Sequence, residues 1–260
     1  MRTLLRLCCA VPLATIAVVA FDSVPVAGQG GPPAIPRLTD GKPDFSGFWT
    51  HPQEPNGRGG ATVFDRTTFP PFKPGGEGLF FEPRTGDPRH DEPRAFCMPS
   101  GFPSGMLAPY PVQLVHTPEW LVMVHEFQRM TRLIPLDGRP HRQDIEPTYY
   151  GDSVGRWEGD TLVIVSKNFL RWSIDDWYYQ NPKEYRMHSE ELVATERLRF
   201  TDPSTISYQL TMDDPKIFTA PYGGDWVMRR RADWEKIGLF EFVCEENNRC
   251  PGGNCQASAR

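Results

Sequence analysis

From Val112 onward the hydrophobic residues fall in short runs with turn-forming residues between them. Residues 112–116, 120–127 and 130–135 read as strands, and Asp137-Gly138 behind them is a hairpin-type turn signal. The run from Gly151 to Ile164 reads as one β-hairpin. In it, residues 154–157 pair across the turn Glu158-Gly159-Asp160 with a β-branched run over residues 161–167. Residues 191–200 turn through Asp202-Pro203-Ser204 into residues 205–212, and residues 224–234 and 238–244 complete the set. No long apolar repeat of helical period interrupts this series, and residues 169–179 alone read as a short helical turn. Short strands at regular spacing predict an all-β fold, an antiparallel barrel or sandwich.

The first half of the chain is different. Sixteen of the 27 prolines fall between Pro32 and Pro111, with glycine clusters at residues 57–60 and 75–78. Proline removes backbone donors and breaks helices, so this half reads as mostly irregular, with one short aromatic strand over residues 45–50. Its aromatics (Phe64, Phe69, Phe72, Phe80, Phe81) argue for packing on the core, because disordered segments are aromatic-poor.

Ahead of it stand a basic head, an apolar stretch and small residues at Val26-Ala27-Gly28, the pattern of a cleaved secretory leader. The expected organisation is a leader over 1–28, a Pro/Gly-rich loop region over 29–111 packed on the core, a β core over 112–244 and a cysteine-containing tail over 245–260. This places the protein in the periplasm or outside the cell, without a membrane anchor.

About 230 residues follow the leader, enough for one sizeable β domain. Their cysteines are Cys97, Cys244, Cys250 and Cys255, an even number that in an exported chain predicts two disulfides. Cys250–Cys255 is the expected local clip and Cys97–Cys244 the expected long-range tie. A zinc site is the rival reading, but no C-x-x-C pair supports it. The net charge of −5 argues against a nucleic-acid partner.

Alternation along the strands sharpens the candidate chemistry. In residues 191–200 the apolar Leu192, Ala194, Leu198 and Phe200 share one parity and face inward, and Glu196 lies among them. Extended backward, the same parity takes in Glu190 and His188. A buried carboxylate needs a partner. Glu196 therefore pairs with a buried arginine, Arg132 or Arg156, or lines a polar pocket. Of His125 and Glu126 one must be buried, since both faces of residues 120–127 are apolar and the strand is expected to be central. Asp152 and Arg156 read as a cross-strand ion pair. Glu158 and Asp160 read as turn chemistry.

A pocket for acid–base work then draws on His188 as proton shuttle, Glu190 as its orienting acid, His141 as a second acid–base group and Arg156 or Arg132 as holder of an anionic oxygen. Asp152, Glu126, Glu196, Tyr149 and Trp172 are expected to contact the ligand, with Tyr150, Trp177, Tyr178 and Tyr179 beside them at the mouth. An alternative groups His141, His188 and Glu190 as a two-histidine, one-carboxylate metal site. The chain has no G-x-S-x-G elbow, H-E-x-x-H, P-loop or dinucleotide fingerprint, so no cofactor is expected.

Gly47-Phe48-Trp49 resembles the G-x-W of lipocalin-like barrels, where a tryptophan plugs the floor under a basic residue from a late strand. Residues 229–231 carry the arginines that would supply it. Leu38 to Trp49 (Leu-x-Asp-Gly-Lys-Pro-Asp-x-Ser-Gly-x-Trp), Cys97-Met98-Pro99, residues 137–141 (Asp-Gly-Arg-x-His), the hairpin motif over 151–163, and His188-Ser189-Glu190 with Glu196-Arg197 extend this likeness. Together they resemble a large family of secreted bacterial lipocalin-like proteins. The resemblance covers residues 38–214 and implies a lipocalin or calycin-like antiparallel barrel and export, with no general activity. The tail cysteines lie outside it.

The expected function is a small-molecule enzyme using acid–base chemistry such as isomerisation, elimination, hydration or cyclisation. The alternative is a non-catalytic periplasmic carrier of a small apolar or aromatic ligand. A mostly apolar pocket with every acid ion-paired would favour the carrier.

Overall fold

The computed structural model describes residues 34–50, 71–83, 97–175 and 184–243. The expected leader, Phe64, Phe69, Trp177, Tyr178, Tyr179, Cys244, Cys250 and Cys255 lie outside the described residues.

A four-stranded sheet is formed by β1 (Gly47–Trp49), β3 (Val112–His116), β4 (Trp120–His125) and β5 (Thr131–Pro135), in that order. Before β3 come a helical turn α1 (Gly76–Phe80), β2 (Phe81–Pro83) and a second turn α2 (Ser104–Leu107). A five-stranded sheet contains β6 (Asp152–Glu158), β7 (Thr161–Lys167), β10 (Val193–Asp202), β11 (Thr205–Asp213) and β12 (Tyr222–Arg229), ordered β12-β11-β10-β7-β6. β8 (Trp172–Asp175) and β9 (Glu184–His188) join β2 in a three-stranded sheet ordered β2-β9-β8. A last helical turn, α3 (Trp234–Ile237), follows β12. Every ladder is antiparallel.

The two larger sheets meet at one edge. Trp49 bridges to Arg230, the Thr50 N–H donates to the Arg229 carbonyl at 2.9 Å, and the Arg231 N–H donates to the Phe48 carbonyl at 2.8 Å. At the other edge no ladder joins β5 to β6 among the described residues. Backbone hydrogen bonding therefore does not close the expected barrel. Side chains span that edge, with Arg132 of β5 donating to Ser153 of β6 at 3.0 Å.

The alternation predicted for β10 is present: Ala194, Glu196, Leu198 and Phe200 are all buried. Met123, Ile134, Ile164, Leu210 and Met228 face the same interior. At one end of it Phe45 stacks on Phe200 at 4.9 Å and on Trp157 at 6.0 Å. Beside them Trp49 is fully buried, with its indole N–H donating to the Phe45 carbonyl at 2.9 Å. The Arg230 guanidinium lies over the Trp49 ring, 5.9 Å from its centre. Gly47 holds φ +130°, and a Cβ there would come within 3.2 Å of that guanidinium, so glycine lets the arginine settle.

The hairpin tip anchors the N-terminal strand segment. Gly159 takes φ +61° in the turn, as its place between Glu158 and Asp160 predicts. Arg37 grips the Asp160 carboxylate with two hydrogen bonds, 3.1 and 2.8 Å, and the Lys42 ammonium sits 5.6 Å over Trp157. In the Pro-rich half, Phe72 and Phe80 pack on Phe218, each ring pair within 6 Å.

Several expectations are corrected. Residues 189–192 form a turn rather than the start of β10, so His188 belongs to β9 and leaves the Glu196 line. Residues 172–175 are a strand, not a helical turn. β12 stops at Arg229, and residues 238–243 carry no strand. β4 is central between β3 and β5, and both His125 at its end and Glu126 just beyond are buried, not one of the two.

Candidate functional site

Alternation on five strands brings one polar cluster together inside the apolar interior. Arg132 of β5 is 4% exposed and Glu196 of β10 is 0% exposed. They meet in a double hydrogen bond, Nη1 to Oε1 at 2.9 Å and Nη2 to Oε2 at 2.6 Å. Tyr208 of β11 donates to the same carboxylate at 2.7 Å, and Arg132 Nη2 also reaches Ser166 of β7 at 3.1 Å. Ser153 and Ser166 bond each other at 2.8 Å. Burial works against the Arg132 charge, but Glu196 outweighs it and raises the guanidinium further. Burial first, then the Glu196 charge, pushes Tyr208 well above the ordinary phenol value. The cluster is therefore an internally neutralised ion pair with a neutral phenol. Among the described residues the Nε of Arg132 has no hydrogen-bond partner.

His125 faces inward from β4 at this end, its N–H bonded to the Met130 carbonyl at 2.8 Å. Burial, then the Arg132 charge, lowers its imidazole to about 3, so the ring is neutral. Its Nε2 also lacks a hydrogen-bond partner among the described residues.

A cleft of about 210 Å³ opens beside Met130, lined by Cys97, Pro99, Gln128, Met130, Tyr150 and Phe242. Its walls are mostly apolar. Two of its residues hold left-handed backbone without being glycine, Cys97 at φ 55° and Gln128 at φ 56°. Gln128 fastens the facing loop with both ends of its amide: Oε1 accepts from the Ser100 N–H at 2.8 Å and Nε2 donates to the Met98 carbonyl at 3.0 Å. Trp172 supports the same loop from behind, its indole N–H donating to the Pro99 carbonyl at 3.0 Å, with Tyr149 edge-on at 4.7 Å. Tyr150 thus lines the cleft, while Tyr149 and Trp172 buttress its wall. Cys97 is disulfide-bonded, and the cysteines able to pair with it lie outside the described residues.

The remaining expected residues stand apart from this cleft lining. His141 Nδ1 donates to Asp152 Oδ2 at 2.9 Å, and the Arg142 side chain and N–H reach the same carboxylate at 2.7 and 3.1 Å. Asp152 therefore pairs with His141 and Arg142 rather than with Arg156. Burial alone would raise Asp152, but the bonds from Arg142 and His141 outweigh it and hold the carboxyl below its ordinary value. Arg156 is exposed on the outer face and bonds Glu158 at 2.9 Å.

His188 is fully buried, its Nδ1 donating to the Ser189 carbonyl at 2.9 Å and its ring edge-on to Phe169 at 5.6 Å. Burial lowers its imidazole. Glu190 points to solvent and pairs with Lys216 at 2.6 Å, so it does not orient His188. Glu126 accepts the Phe240 N–H at 2.9 Å. Among the described residues no three His, Cys, Asp or Glu side chains converge as a metal site, so His141, His188 and Glu190 are not brought together.

Sequence reasoning missed Ser153, Ser166, Tyr208, Gln128 and Met130. The parity of Ser166 with Leu162 and Ile164 carried a usable signal for the serine. Nothing local marks Gln128 for a left-handed turn, since glutamine has no preference for it.

No protein-family model matches this chain, and no curated protein matches it.

Proposed function

We propose that this is an exported binding protein that holds a small apolar or aromatic molecule in the cleft between the Pro99 loop, Met130, Tyr150 and Phe242. The observation that carries this reading is the state of the acids. Glu196, Asp152, Glu190, Glu158 and Asp160 are each engaged by an arginine or lysine, and the cleft beside Met130 has mostly apolar walls. A concave apolar site with a few fixed polar groups suits ligand capture. The wall is held by the Gln128 amide and by Trp172, which favours a preformed site.

The fold that accompanies this reading is an open calycin-like barrel. The stacking of Arg230 on Trp49 and the bridge joining β12 to β1 support it. Membership of the secreted lipocalin-like family is proposed on the same motifs. The Cys97 disulfide fits an oxidising compartment outside the cytoplasm. Because Phe242, two residues before Cys244, lines the same cleft as Cys97, Cys244 is the proposed partner; peptide mapping of the non-reduced protein tests the pairing.

Fluorescence titration with N-phenyl-1-naphthylamine, a neutral apolar dye, tests the binding reading. The native protein should give saturable enhancement at one site, and Met130→Trp, which fills the cleft, should weaken it at least about tenfold. Absence of saturable binding to the native protein rejects the reading. A second reading, acid–base chemistry, is favoured by one contact, His141 Nδ1 to Asp152 Oδ2 at 2.9 Å, the arrangement that orients a histidine base. A ligand recovered from the native protein that is converted by wild type and not by His141→Gln would install that reading instead.

A further inference from the structure

We propose that residues 239–243 are a strap that gates the cleft and that the Glu126 carboxylate is its latch; the gate rests on the cleft being the binding site. α3 ends at Gly238, whose φ of +75° turns the chain and whose N–H closes the helix on the Trp234 carbonyl at 2.8 Å. Beyond that point the next five residues make no backbone–backbone hydrogen bond among the described residues. Among the described residues their hold on the protein is one hydrogen bond and two ring contacts. The Phe240 N–H donates to Glu126 Oε2 at 2.9 Å, the Phe240 ring stands edge-on to Trp234 at 5.5 Å, and the Phe242 ring stands edge-on to Phe127 at 5.5 Å. Phe127 in turn stacks flat on Tyr110 at 5.0 Å. Phe242 is also a wall of the cleft, so whatever moves the strap opens or closes the site.

The energetics point the same way. Phe240 is 59% exposed and Val243 is 65% exposed, so the strap buries little apolar surface besides Leu239 and Phe242, both partly buried. A segment with few buried contacts and no ladder opens locally at far lower cost than the sheets. Glu126 is 9% exposed, and among the described residues its one side-chain hydrogen bond goes to Phe240. A largely buried carboxylate satisfied by a single backbone amide is an unusual expense for mere packing. It is understandable as a fastening confined to one bond, so that it releases as a unit. Glu126 sits where β4 passes into the turn bearing Gln128, the residue that fixes the opposite lip. The latch and the rigid wall are thus built from one turn, and the strap, held at Gly238 and at the proposed Cys97–Cys244 tie, is the part that bows outward between them.

The test uses the full chain without ligand. Hydrogen exchange read by mass spectrometry follows the latch, and sulfoxidation of Met130 by dilute hydrogen peroxide follows opening of the cleft. Glu126→Ala removes the acceptor, and Glu126→Gln keeps one. Phe240→Pro deletes the donor while leaving Glu126 in place, and so serves should Glu126→Ala fail to fold. Exchange over residues 239–243 should rise about ten- to a hundredfold in Glu126→Ala and Phe240→Pro, with Met130 oxidised faster in both and Glu126→Gln near wild type. Unchanged exchange in the Ala and Pro variants overturns the latch. Raised exchange with unchanged Met130 oxidation overturns the gate. Neither outcome depends on the dye titration, so failure of the binding reading is separately visible.

Discussion

Arg132 and Glu196 face each other across the interior from different sheets, β5 in one and β10 in the other, and meet in a double hydrogen bond of 2.9 and 2.6 Å. No ladder spans the gap between β5 and β6, and this pair with its serines ties the two sheets there instead. Removing one partner strands a buried charge. Glu196→Ala should destabilise the protein by about 3–5 kcal/mol in urea unfolding, and the double variant Arg132→Met/Glu196→Leu should recover most of that loss. A single variant that costs nothing would show the tie to be ornamental.

His125 sets a pH dependence. Its folded value, about 3, lies below the ordinary 6.5, so the unfolded chain takes up a proton that the folded one refuses. The stability it supports is complete above pH 6.5 and is lost progressively as pH falls toward 3. His116 and His188, both lowered first by burial, act with the same sign. Thermal unfolding followed from pH 7 to 4 should decline in wild type and less steeply in His125→Leu. Equal slopes would mean that the ring is not neutral in the fold.

Asp152 acts at lower pH. Its carboxyl is held below the ordinary value by Arg142 and His141 against the pull of burial, so its contribution is present above the ordinary carboxylate range, near pH 4, and is lost as pH falls below it. Asp152→Asn should be less stable than wild type at pH 6 and converge on it in acid. Nitrogen-15 spectra should show the His141 ring losing its fixed Nδ1–H tautomer in that variant.

The grip of Arg37 on Asp160 holds the segment before β1 against the hairpin tip. Both side chains are exposed, so global stability is the wrong measure. Asp160→Asn should raise amide exchange at Leu38, Gly41 and Asp44, whose backbone bonds close that segment, and leave β10 and β11 unchanged. Exchange confined to wild-type values would place the anchor elsewhere, at Lys42 on Trp157.

At the other end of the interior, Gly47→Ala imposes a side chain on φ +130° and on the Arg230 guanidinium 3.2 Å away. The variant should lose about 1–3 kcal/mol by strain. Trp49→Ala should lose about 3–5 kcal/mol by cavity formation. Chemical denaturation distinguishes them, since Arg230→Met should relieve part of the Gly47→Ala loss and none of the Trp49→Ala loss.

The readable parts of this fold are those governed by neighbouring residues. The period of two on β10 placed Glu196 inside, and the rule that a buried acid needs a partner narrowed that partner to two arginines. Gly159 between two acids announced its turn. The same reasoning failed at His188 and Glu190. Parity persists only while the chain stays extended, and residues 189–192 turn before β10 begins. It failed again at residues 238–243, where strand-like residues join no ladder and lie as a strap.

Sequence alone determined the antiparallel β class, the hairpin, the inward line of β10 and the acids that needed neutralising, because each follows from the short-range geometry of an extended chain. The tertiary structure decided which arginine neutralised Glu196, that Asp152 belongs to His141 and Arg142, and that Gln128, Met130, Tyr150 and Phe242 share a cleft. Those choices depend on how strands distant in sequence are brought together, and no periodicity within a strand encodes that distance.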